Sequence, residues 1–131
     1  MPTKNKALGD LGEGAAARHL TKQGLKIVAR NWRCRFGELD IVAVRQEGFW
    51  RPQISEIVFV EVKSGWTGGQ IAPEANIGPH KKQRLGRSIN SFLAQHQDKI
   101  PKTALVKARA LVVLFSRDYR LAEIKEYQIL F

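Results

Sequence analysis

The chain reads as an α/β layer protein, a mixed β-sheet flanked by helices. Apolar residues recur at three- and four-residue spacing in two separate stretches, the mark of helices with one buried side. Five other stretches are apolar or alternating over strand lengths, bounded by Gly, Pro and Asn. Their order is α-β-β-β-α-β-β, so a helix interrupts the strands, which calls for a mixed sheet. At 131 residues, with no internal repeat or low-complexity segment, residues 1–131 are expected to form a single domain with a sizeable core.

Leu8, Leu11, Gly12, Ala15, Ala16, His19 and Leu20 fall at helical spacing, and Gly24 stands where such a helix stops. Its small residues suit close approach to a sheet. Leu25 to Arg30 predicts a short strand, followed by NWRCRFG as a basic, aromatic turn. Leu39 to Val44 and Ile57 to Lys63 predict two strands of a hairpin whose loop contains Gly48 and Pro52. Residues 64–79, SGWTGGQIAPEANIGP, hold too much Gly and Pro for regular structure and predict a mobile loop. Lys81 to His96 returns to helical periodicity with Leu85, Ile89, Phe92 and Leu93 as its buried stripe. Ala110 to Phe115 and Ile124 to Phe131 complete the sheet.

Lys and Arg number 22 against 12 Asp and Glu, giving a net charge of +10. That excess favours a polyanionic partner, and nucleic acid is the commonest. The single cysteine, Cys34, excludes an internal disulfide and a cysteine-cluster zinc site, and suits a reducing, cytoplasmic location. No signal-peptide core opens the chain, and runs such as ALVVLF are too short to span a bilayer, so no membrane partner is expected.

Within the strand stretches, acids and a base stand where apolar residues would be more stable. Asp40 sits inside LDIVAV, and Glu61 and Lys63 inside IVFVEVK. An unpaired buried charge is costly, so a partner, a metal or a function must offset it. Strand alternation puts Glu61 and Lys63 on one face, and Glu38 and Asp40 on a face with Val42 and Val44. Antiparallel pairing would bring Asp40 beside Glu61. Two such carboxylates repel unless a cation lies between them. Oxygen donors of this kind, with the Val62 carbonyl as a further one, suit Mg²⁺ or Mn²⁺. Lys63 would then orient an attacking water or offset charge on a phosphate, which is the chemistry of metal-dependent phosphodiester hydrolysis. The plainer alternative is an ion pair on an exposed strand.

GDLGEGAAARHL, RNWRCRFGELDIV, VFVEVKSG and KKQRL together resemble the YraN-type family of predicted nucleases, in that family's order and spacing. The resemblance implies a restriction-endonuclease-like core, related to archaeal Holliday-junction resolvases. It makes Asp40 and Glu61 metal ligands and Lys63 the catalytic base or water-orienting group. Glu13, which lies with Gly9, Ala16 and Leu20 at the margin of the helix stripe, would complete the site, or would be an ordinary solvated glutamate. The chain departs from the pattern at RALVV, where Leu111 replaces an acid common in the family.

Arg30, Arg33 and Arg35, with Lys81, Lys82, Gln83 and Arg84, are the candidate contacts to nucleic acid, since arginine and lysine hold phosphates. Trp66 would stack on an unpaired base or pack its loop onto the protein. The resemblance implies an endonuclease acting on structured or branched DNA, favoured over RNA, and a homodimer would suit a symmetric junction. The rival reading is a basic nucleic-acid-binding module with a degenerate site.

Overall fold

Leu8, Ala15, Ala16 and Leu20 share one face and are buried, which makes helix α1 (Lys4–Lys22) a lid for one side of a sheet. The computed structural model describes residues 4–69 and 77–131. Gly24 ends α1 at φ +88, and the Leu25 N–H returns to the Leu20 carbonyl, a left-handed cap that glycine adopts without strain. Five strands follow: β1 (Lys26–Cys34), β2 (Gly37–Glu47), β3 (Gln53–Trp66), β4 (Leu105–Phe115) and β5 (Leu121–Gln128). Helix α2 (Pro79–Gln95) carries the chain between β3 and β4. Spatial order equals chain order, and every neighbouring pair is antiparallel except β3 with β4. A parallel pair needs a long crossover, which α2 supplies.

The two helices cover opposite faces. Ile41, Ala43, Val58, Val60, Leu111 and Val113 pack beneath α1. Val42, Val44, Ile57, Phe59, Ala108 and Ala110 pack beneath Leu85, Ile89 and Phe92 of α2. The result is the expected α/β architecture, a five-stranded mixed sheet between two helices, in the arrangement of a restriction-endonuclease-like core.

Several boundaries differ from the sequence reading, β4 starting at Leu105 and β5 running from Leu121 to Gln128, and three of them have clear physical reasons. The NWRCRFG stretch is not a turn: β1 runs through it to Cys34, and only Arg35 and Phe36 separate β1 from β2. Trp32 and Cys34 alternate inward there, with Trp32 edge-on to Phe92 at 5.2 Å. β3 likewise continues through Ser64 and Gly65 to Trp66, because its parallel ladder with β4 extends to Trp66–Phe115. Of the predicted loop, residues 70–76 lie outside the described residues. α2 begins at Pro79, before Lys81, since proline at the first turn forfeits no intrahelical hydrogen bond.

Candidate active site

The β2–β3 ladder reaches Ile41–Val60 and stops. Continued by one step, it would place Asp40 opposite Glu61. Instead the strands part, and the Val62 N–H, deprived of a ladder partner, donates to Asp40 Oδ2 at 2.8 Å. On the other side, Arg30–Ile41 and Trp32–Leu39 are paired, but Asn31, opposite Asp40, adopts φ 51. Strand alternation breaks at this point. Leu39 packs with Val42 and Val44 on the α2 side, where an even pleat would send it beneath α1 with Ile41. The sequence reading assumed that even pleat for Asp40; the irregularity turns its carboxylate toward the split end of β3.

Asp40 and Glu61 line one cleft of about 230 Å³ with Phe36, Glu38, Lys81 and Arg84. Lys81 Nζ is 2.6 Å from Glu61 Oε1. Burial pushes Asp40 up to about 7, and the nearby carboxylates of Glu61, Glu13 and Glu38 act in the same direction against the Val62 hydrogen bond. Burial and the neighbouring Lys81 ammonium lower Lys63 from the ordinary lysine range. Partial burial opposes charge on Lys81 too, yet Glu61 holds it above that range. Of the two amines, Lys81 therefore holds its proton the more tightly.

Glu13 projects from α1 toward β1, 4.0 Å from the Arg30 guanidinium. The Asn31 amide, turned to present its NH₂, lies 2.9 Å from Glu38 Oε1 and 3.2 Å from Glu13 Oε1. Asn31 thus joins two carboxylates around Asp40. Sequence reasoning passed over it, although asparagine is among the few residues that enter the left-handed region readily. Among the described residues, no group of three or more His, Cys, Asp or Glu side chains could hold a metal ion by itself. Asp40, Glu61 and the Val62 carbonyl nevertheless form a set of hard oxygen donors. In an extended strand the N–H and C=O of one residue point the same way, so the carbonyl of Val62 faces the gap that its N–H spans. Such donors are of the kind Mg²⁺ uses, since that ion ordinarily keeps several waters and takes few protein ligands.

The cationic candidates divide by place. Lys81 and Arg84 line the cleft. Arg35 stacks on Phe36 at 4.7 Å, with Arg87 on the same ring at 5.8 Å, so an arginine-flanked aromatic stands at the cleft wall. Arg33 pairs with Glu38 at 3.4 Å. Lys82 is half-buried and Gln83 exposed on the first turns of α2. Trp66 is not brought to the cleft. It packs on the α1 face, edge-on to Tyr119 at 5.0 Å. Leu111 is fully buried in that same α1-side core, on the opposite face from Glu61, so a leucine there removes no oxygen donor from the cleft wall. No helix among the described residues is long and apolar enough to cross a membrane.

A model described as Uncharacterised protein family UPF0102 matches residues 12–115, a span that holds Glu13, Asp40, Glu61, Lys63 and Lys81. A UPF0102 protein of Synechococcus sp. (strain JA-3-3Ab) is 42% identical over 96 residues, covering 70% of this chain and 64% of the relative. One of Mycobacterium avium (strain 104) is 42% identical over 87 residues, 66% of this chain and 63% of the relative. One of Chloroflexus aurantiacus (strain ATCC 29366 / DSM 635 / J-10-fl) is 45% identical over 96 residues, 73% of this chain and 71% of the relative. The matched segment thus spans just under two thirds of the first two relatives' own length. With its motifs and a family match over most of its length, the chain belongs to UPF0102, the YraN-type family.

Proposed function

We propose that the protein is a metal-dependent endonuclease hydrolysing phosphodiester bonds in structured or branched DNA. The observation that carries the reading is the parting of β2 from β3, which turns Asp40 and Glu61 into one cleft with Lys63 on the strand beside them. Asp40, Glu61 and the Val62 carbonyl would hold Mg²⁺ or Mn²⁺. Bound there, the cation would supply Lewis-acid polarisation of the phosphate and acidify a water.

The chain's own groups account for the remaining work. Lys63, its hold on the proton weakened by burial and by Lys81, stands where it could exchange a proton with the attacking water. Lys81 and Arg84 face the cleft and can pair with phosphate oxygens. Arg35 and Arg87 lie over Phe36 at the cleft wall, where their guanidinium groups can meet further phosphate oxygens. Asn31 of β1 ties Glu13 of α1 to Glu38 of β2 beside Asp40. Branched DNA, preferred to RNA, and a two-fold dimer follow from the resolvase resemblance alone.

The competing reading, a basic module that binds without cutting, is opposed by the charges themselves. Without chemistry to perform, an apolar residue at Asp40 would be more stable than a carboxylate crowded by others. The test is cleavage of labelled linear, flapped and four-way DNA with Mg²⁺ or Mn²⁺, comparing the protein with Asp40→Ala and Glu61→Ala. Cutting should fall at least about a hundredfold in each variant, the scale of losing a group that stabilises the transition state. Binding should persist. Binding with no cutting of any substrate by the unaltered protein would instead establish the module.

A further inference from the structure

We infer that Lys81 is a built-in counterion, which neutralises Glu61 until a divalent cation displaces it and which then turns to the phosphate. The inference rests on the metal site proposed above and adds an order of events to it.

The geometry is specific. Lys81 reaches Glu61 from the first turn of α2, with its ammonium 2.6 Å from Glu61 Oε1. Lys63 lies two residues beyond Glu61 on the same strand, near enough for the Lys81 charge to act on it. One ammonium thus sits on the Glu61 carboxylate in the cleft that Asp40 and Glu61 share. A divalent ion bound through Glu61 would stand within a few ångströms of that ammonium and repel it strongly. Cation and Lys81 are therefore alternative partners of the same oxygen.

The path of the displaced lysine is also constrained. The first turn of α2 carries no acidic residue, so Lys81 finds no second carboxylate on its own helix. Arg84, one turn onward, lines the same cleft. A released Lys81 would join Arg84 as a pair of cations facing the cleft, the arrangement that holds a phosphate. Cation binding would thereby prepare the site for the backbone of the nucleic acid, and an empty site would keep one of its phosphate contacts occupied.

The experiment is a Mn²⁺ titration without nucleic acid, following free Mn²⁺ by electron paramagnetic resonance, on the full chain and on Lys81→Met and Arg84→Met. Arg84→Met removes the same charge from the same cleft without breaking a contact to Glu61, so it measures general electrostatics. Lys81→Met should bind Mn²⁺ tighter than Arg84→Met does by on the order of fivefold, the scale of one partly exposed ion pair. Lys81→Gln, which can still donate to Glu61 but lacks the charge, serves if methionine disturbs folding. Equal affinities in the two variants, or weaker binding by Lys81→Met, overturn the counterion role while leaving the metal site intact. Failure of all three proteins to bind Mn²⁺ sinks the metal site and the inference together.

Discussion

Asp40 carries two duties that oppose each other. Its carboxylate closes the sheet where the ladder ends, by accepting the Val62 N–H. It also sits among Glu61, Glu13 and Glu38, which, with burial, raise it from 3.8 to about 7. The consequence for stability has a definite sign. An acid whose folded value lies above its unfolded value binds more protons in the native state between the two. Stability from this group is therefore full below about pH 4, declines as pH rises through about 7, and stays lost above it. Asn at this position keeps an oxygen for Val62 and carries no charge. Asp40→Asn should thus stabilise the metal-free protein at pH 8 by on the order of 1–2 kcal/mol, less than the full linkage value because the cleft is open to water. Urea melts in EDTA at pH 5 and pH 8 measure it, and the variant's curve should lose pH dependence that the parent shows. A variant less stable than the parent at pH 8 would mean that the Val62 bond needs the ionised carboxylate.

At the scale of elements, α1 lies so close to β3 that one residue decides the fit. A Cβ built on Gly12 would overlap Ser64 Oγ and come within 2.9 Å of Ser64 Cβ, and no rotation of the hydroxyl relieves the second contact. Ser64 directly follows Lys63, so this approach also sets how far Glu13, the next residue on α1, stands from the carboxylates. Gly12→Ala gains up to about 1 kcal/mol in helix propensity. It should still lose about 1–2 kcal/mol net, because overpacking forces α1 off the sheet. Adding Ser64→Gly should recover most of the loss, a non-additivity read from thermal melts of the two single variants and the double. Full additivity would mean that Gly12 serves only helix geometry. The small-residue face of α1 was legible in the sequence for this reason, as were the hairpin and the stripe of α2, since each is written in local spacing. The break at Asn31 and Asp40 was not legible. It arises from two strands shifting together at one register position, which periodicity along either strand alone does not record. The Lys81–Glu61 contact was only half legible: the sequence placed Lys81 near the site, but its partner is fixed by how α2 returns across the sheet. Trp66 read as a loop residue because glycine follows it, whereas its ring is held by the α1-side core and Tyr119.

Over the whole molecule, the charge of +10 sets how any nucleic acid is bound, and its distribution can be tested without reference to cleavage. The cations are not all equivalent. Arg35 flanks Phe36, Lys81 and Arg84 line the cleft, and Arg33 is engaged with Glu38. Lys102 lies beyond the C-terminal end of α2, a helix of 17 residues and so roughly 25 Å long at 1.5 Å per residue. Each phosphate neutralised contributes about −0.9 to the slope of log affinity against log salt for duplex DNA. If the cleft carries the backbone, Arg35→Gln and Arg84→Gln should each flatten that slope by about 0.9 and weaken binding several-fold whatever the sequence. Lys102→Gln should leave the slope unchanged. Fluorescence anisotropy in Ca²⁺ between 50 and 300 mM salt, roughly the range over which such slopes are resolved, distinguishes the cases. Equal flattening by all three variants would mean that affinity comes from diffuse charge rather than from a track leading to Asp40 and Glu61. The carboxylates would then lie beside a general polyanion surface, with nothing to direct a particular phosphate between them.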